Sequence, residues 1–247
     1  MTSKDVQKVV PFEGSKLSKK EQMASMFNDI AGRYDFMNHF MSLGIDVWWR
    51  KVALRKLKPL APKSLLDVAT GTGDVAIMAQ RMLAPDHITG IDISEGMLEI
   101  GREKVAKAGF SDKITLQTGD SETISFPDAT FDAITAAFGV RNFENLAKGL
   151  GEMCRVLKPG GMAVILEFSN PTAFPVKQLY NFYFRYITPT IGKLVARNKA
   201  AYSYLPSSVK EMPQGQEMCD ILKKVGFQDV TCKTLTFGIC SVYCATR

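Results

Sequence analysis

Leu65-Leu66-Asp67-Val68-Ala69-Thr70-Gly71-Thr72-Gly73-Asp74 decides how this chain reads. An apolar run enters a turn with two glycines and leaves as a helical stretch from Val75, the order of a nucleotide-binding strand, loop and helix. Around it, short apolar runs over 64–69, 87–93, 114–118, 131–137 and 162–168 predict strands. The stretches 75–83, 95–108 and 145–157 predict the intervening helices, the last ended by Lys158-Pro159-Gly160-Gly161. Strict alternation implies a parallel sheet with right-handed crossovers and a ligand site at the carboxyl ends of its strands. A final helix over 214–225 and strands over 228–235 and 238–245 close the sheet as an antiparallel hairpin. The expected fold class is α/β, Rossmann-like, with seven mostly parallel strands.

Gly71-Thr72-Gly73-Asp74-Val75-Ala76 also satisfies G-x-G-x-x-A, so a dinucleotide is a serious rival ligand. The acidic residues discriminate. A pyrophosphate favours bare amides at the helix start, whereas Asp74 opens the helix here and Asp67 lies in the strand below. S-adenosylmethionine has no phosphate and brings an ammonium and a sulfonium, which carboxylates attract. Asp92, at the end of the second strand, suits a forked grip on both ribose hydroxyls. Asp120 and Ser121, past the third strand, suit the adenine amino group and ring. The expected cofactor site is Asp67, Gly71, Thr72, Gly73, Asp92, Asp120 and Ser121, in a class I S-adenosylmethionine-dependent methyltransferase.

The flanks add organisation. With 247 residues and 46% hydrophobic content, one domain is expected. A leader over residues 1–17 shows no periodicity and is expected to be flexible. A helical cap over 18–60 follows, opened by Ser18-Lys19-Lys20-Glu21 as a capping box. The nucleotide-binding core spans 64–170, a basic aromatic lid 171–212, and the C-terminal helix and hairpin 213–247. From Pro171 to Lys210 there are six cations and no Asp or Glu, so this segment holds the entire net charge of +6. Leu179, Phe182, Tyr183, Tyr186 and Ile187 predict a helix there, ended by Pro189. The segment reads either as packed core or as a lid that holds an apolar tail and leans on an anionic membrane. Met23, Met26, Met37 and Met41 read as an opposite wall or as plain packing. Five cysteines without a C-x-x-C pair, and two distant histidines, offer no zinc ligand set and suit a reducing cytoplasm. No signal peptide and no apolar run of membrane-spanning length is expected, so the protein is placed in the cytoplasm, peripheral at most to the inner face of the cell membrane.

Tyr34-Asp35-Phe36-Met37-Asn38 with Ser42, Gly44 and Trp48 resembles one signature of the ubiquinone/menaquinone biosynthesis C-methyltransferases. Arg155-Val156-Leu157-Lys158-Pro159-Gly160-Gly161 with Leu166-Glu167-Phe168-Ser169 resembles a second, and Tyr204–Val209 and Leu235–Ile239 are similar to later family stretches. The likeness runs from about Met26 to the C-terminus. It implies methyl transfer to a ring carbon of a polyprenylated quinol, most plausibly demethylmenaquinol, with cofactor contacts at Thr72, Asp92, Asp120 and Ser121. A ubiquinone-pathway benzoquinol, another small molecule or RNA is the alternative acceptor, although the family pieces argue against nucleic acid. Two departures stand out: Asp46 where the family usually has His, and Ala137 where some relatives have Ser.

Transfer from a sulfonium requires an in-line nucleophile and no metal. A ring carbon becomes nucleophilic when a neighbouring hydroxyl loses its proton, so a base or phenolate stabiliser is needed. Asp46, Tyr34 and Arg141 are the candidates. The competing reading has Tyr34 and Asp46 orienting the N-terminal helices and Arg141 paired with a loop carboxylate such as Glu144.

Overall fold

A computed structural model of the chain describes residues 9–42, 44–183 and 199–247, with the side chains of 36–41 and 199–203 left out. Two helices come first, α1 (Lys19–Met41) and α2 (Ile45–Arg55). The core then alternates β1 (Ser64–Val68), α3 (Asp74–Leu83), β2 (His87–Asp92), α4 (Glu95–Lys107), β3 (Ile114–Thr118), β4 (Phe131–Ala137), α5 (Leu146–Val156) and β5 (Leu157–Phe168). The lid segment contributes α6 (Val176–Phe182) and α7 (Lys199–Glu211), and α8 (Gln216–Lys224), β6 (Gln228–Leu235) and β7 (Cys240–Thr246) complete the fold.

The seven strands lie in the order β3-β2-β1-β4-β5-β7-β6. β1 to β5 pair in parallel, while β7 inserts antiparallel between β5 and β6. The hairpin was legible from its two apolar runs; the order, with the last strand inside the edge, was not. Both faces are covered, which is why β1 reads as a continuous apolar run. Leu66, Ile134 and Ile165 face a cluster with Met153 of α5 and Met218 of α8. Their neighbours Leu65, Ala133 and Val164 face α2, α3 and α4 through Leu54, Ala76 and Leu98. A wholly buried leucine such as Leu66 stabilises the fold by about 2 kcal/mol, and each face holds several.

Local chemistry explains the element ends. Ser18 and Glu21 form the expected capping box, the Ser18 amide donating to Glu21 Oε2 at 2.8 Å and the Glu21 amide to Ser18 Oγ at 3.3 Å. Ser94 caps α4 and Asn145 caps α5, each accepting from a first-turn amide. β5 starts at Leu157 instead of residue 162, because Leu157 already pairs with Phe131 before the chain bulges through Gly160 (φ 77°) and resumes with Met162 opposite Ala133. The leader expected to be flexible is tied down in its second half: the Phe12 amide donates to Gln22 Oε1 at 3.0 Å, and Val9 and Phe12 pack against Met23 and Met26. The helix expected through Tyr186 and Ile187 to Pro189 is described only over Val176–Phe182; its remainder lies outside the described residues, as do the side chains of Met37 and Met41.

Candidate active site

Two loops meet at the carboxyl edge of the sheet. Ala69, past β1, and Phe138, past β4, both adopt left-handed backbone, φ 54° and 59°. Such residues cost about 1–3 kcal/mol each and persist where the surroundings enforce them. Gly139 makes the meeting possible, since a Cβ there would stand 2.5 Å from the Ala69 Cβ. The Phe138 ring is fixed against Phe168, centroids 4.6 Å apart, and Trp49 at 6.2 Å.

Above these loops lies a cleft of about 650 Å³, lined among others by Gly71, Asp92, Asp120, Ser121, Tyr34 and Asn142. A recess of about 390 Å³ continues from it beneath the glycine loop, lined by Tyr34, Arg50, Asp67, Gly71, Thr72 and Asp74. Asp92 accepts the Gly71 amide at 2.8 Å and the Ser94 amide at 2.9 Å, one on each oxygen. A carboxylate has about four acceptor positions, so lone pairs remain for two hydroxyls. Burial raises the Asp92 pKa, and the backbone amides of Ser94, Gly71 and Ile93 oppose that rise.

Asp67 is more enclosed than expected. Thr70 and Thr135 each donate a hydroxyl to it at 2.6 Å, and burial pushes its carboxyl up to about 6. It fixes the loop from below as well as lining the recess. Gly73, at φ 76°, makes the turn into α3. Asp120 accepts Lys20 Nζ at 2.7 Å, so the position expected to meet an adenine amino group carries a lysine of α1. Thr72 donates its hydroxyl to Asp35 at 2.6 Å. Lys104 of α4 reaches Asp35 at 2.6 Å, Thr72 at 3.0 Å, and Asp74. Asp74, which the sequence presents as a bare carboxylate, is thus neutralised by Lys104 and approached by Arg50 at 3.5 Å.

The three candidates for acid–base work separate. Tyr34 lines both cleft and recess. Asp46 is buried, bonded to Arg50 at 2.7 Å and to the Ser42 hydroxyl at 2.6 Å, and lines neither. Arg141 is buried in the wall, its Nη1 on Glu167 at 2.9 Å and on the Phe138 carbonyl, so its partner is Glu167 of β5 and not Glu144. The sequence reading missed Arg50, Lys104, Lys20 and Glu167. A glutamate inside an otherwise apolar strand and the Asp46/Arg50 spacing of four were available signals; Lys104, on a helix charged along its length, carried none.

Residues 15–247 match the ubiE/COQ5 methyltransferase family. The chain belongs to that family. Over 98% of its length and 98% of the relative's, it is 51% identical to a demethylmenaquinone methyltransferase of Bacteroides fragilis. It is 47% identical to the ubiquinone/menaquinone biosynthesis C-methyltransferase UbiE of Geobacter sulfurreducens, over 91% of this chain and 88% of that one. A solved S-adenosylmethionine-dependent methyltransferase of Thermotoga maritima shares the fold, with a TM-score of 0.63 and 17% identity over 91% and 99% of the two chains. As a ubiE/COQ5 methyltransferase the enzyme is S-adenosylmethionine-dependent and acts in quinone biosynthesis. Its carboxylates at successive strand ends, and a glycine loop whose amide and hydroxyl groups are already ordered, fit that methyl donor. Among the described residues, no helix is long and apolar enough to cross a membrane.

Proposed function

We propose that this enzyme methylates a ring carbon of a polyprenylated quinol, converting demethylmenaquinol to menaquinol. The carrying observation is the mixed lining of one cleft: the carboxylates of Asp92 and Asp120 share it with Met23, Phe27, Tyr34 and Phe143, with Tyr204 of the lid packed beside Met23 and Met26. Bound S-adenosylmethionine supplies the activated methyl group, held by Thr72, Asp92, Asp120 and Ser121 around Gly71 and Gly73. Asp67 orders that loop from beneath.

At the acceptor end, Tyr34 and Asn142 position the ring, and the buried Arg141 charge stabilises the phenolate that makes the ring carbon nucleophilic. The methyl–sulfur bond breaks as the methyl–carbon bond forms, and the displaced ring proton leaves to solvent to restore the aromatic ring. Asp46 works through Arg50 and holds α2 against the loop; a carboxylate bonded to a guanidinium and a hydroxyl outside the cleft is poorly placed to take a ring proton. We assign no metal to the step, because the leaving sulfide departs neutral and needs no Lewis acid. The exposed Phe174, Leu179 and Phe182 beside Lys177 support peripheral contact of the lid with an anionic membrane from the cytoplasmic side.

Purified enzyme with methyl-labelled S-adenosylmethionine and a short-tailed demethylmenaquinol should form methylated product under reducing conditions and none with the oxidised quinone. Arg141→Ala should lower turnover about a hundredfold with donor affinity retained. Equal rates in both redox states would sink the quinol mechanism, and product formed only from a benzoquinol would shift the acceptor to the ubiquinone pathway.

A further inference from the structure

Two cations serve the recess beneath the glycine loop with different capacity, Arg50 in its lining and Lys104 through the lining residues it bonds. Lys104 Nζ has three donors, and Asp35, Thr72 and Asp74 take all three. Arg50 has five N–H donors, yet Nη1 alone carries its contacts to Asp46 and Asp74, and Nε is buried without a partner among the described residues. An under-used guanidinium is costly in a buried wall. Asp46, at 2.7 Å, and the Phe138 ring, centroid 5.9 Å from the guanidinium carbon, fix it in place.

We propose that Arg50 is the counter-cation for the carboxylate at the methionine end of the methyl donor. The recess that Arg50 lines also contains Gly71 and Thr72, so a ligand seated on the loop brings its amino-acid end to this guanidinium. Nη2 of Arg50, which carries none of these contacts and is not buried, can donate to a carboxylate oxygen, which a saturated lysine cannot do. Lys20, the other cation lining the cleft among the described residues, sits on Asp120 and Glu122. Arg50 is thus a residue of donor specificity, selecting an amino-acid tail over the same nucleoside without the carboxylate.

The inference rests on the donor assignment, and calorimetric titration without quinol keeps the two apart. S-adenosylmethionine and decarboxylated S-adenosylmethionine, which differ by the carboxylate alone, are titrated into wild type, Arg50→Met and Arg50→Lys. Wild type should favour the intact donor. Arg50→Met should weaken its binding about tenfold to a hundredfold while the decarboxylated compound binds as before, and Arg50→Lys should fall between. Unchanged affinity in Arg50→Met overturns the proposal, as does an equal loss for both compounds, which reports a collapsed recess. Wild type that binds neither compound overturns the donor assignment together with it.

Discussion

Arg50 and Arg141 are near copies of one device placed against the two rings of one aromatic pair. Each is buried, each meets a carboxylate through Nη1, and each leaves Nε unpartnered among the described residues. Arg50 stands over the Phe138 ring and Arg141 over the Phe168 ring, and those rings pack on each other, so an aromatic pair separates the two charges. They differ in how firmly they are held. Glu167 accepts both the Arg141 guanidinium and the Arg141 backbone amide, which locks the charge into the wall. Arg50 shares two carboxylates on different helices and borders open space. A locked charge suits shaping a field at a reacting ring, whereas a shared one suits gripping a ligand that comes and goes.

Breaking the locked member should cost most. Glu167→Gln leaves Arg141 buried without its counter-charge and should lower unfolding free energy by about 3–5 kcal/mol in urea titrations. Asp67 tests the donor side through pH. Its folded pKa of about 6 exceeds the value of about 3.9 for a free aspartate, so stability is fully present below pH 4 and is lost as pH rises through 6. That loss amounts to about 3 kcal/mol, and Asp67→Asn should abolish it while the threonine hydroxyls reorient onto the amide. The difference between the unfolding curves of the two proteins should therefore open between pH 4 and 7; a constant difference would refute the burial argument. The smallest effect belongs to Asp46→Asn, because Arg50 retains Asp74: about 1–2 kcal/mol by the same urea measurement. A loss as large as that of Glu167→Gln would mean the two arginines are equally locked.

What was legible in the sequence follows from how local each signal is. The β1 loop, the capping box at Ser18 and the strands of the parallel core depend on residues adjacent along the chain, and the observed elements lie within a few residues of those expected. The three strand-end positions Gly71, Asp92 and Asp120 come together in one cleft for the same reason, since each follows its own strand. What was hidden depends on contacts between distant residues. The cations that answer the acidic residues come from α1, α2 and α4: Lys20 on Asp120, Arg50 and Lys104 on Asp74, separated by 100, 24 and 30 positions. The acidic pattern does suit a sulfonium ligand, but Asp74 and Asp120 are already paired with lysines, whereas Asp92 accepts backbone amides.

The ion network under the glycine loop has a consequence for turnover. Arg50 and Lys104 stand against Asp35, Asp46 and Asp74, a formal sum of one negative unit (2 − 3). Intact donor carries one net positive unit, whereas the demethylated thioether carries none. With the donor seated as proposed above, the attraction that loads the recess disappears with the methyl group delivered, which favours release of the spent thioether.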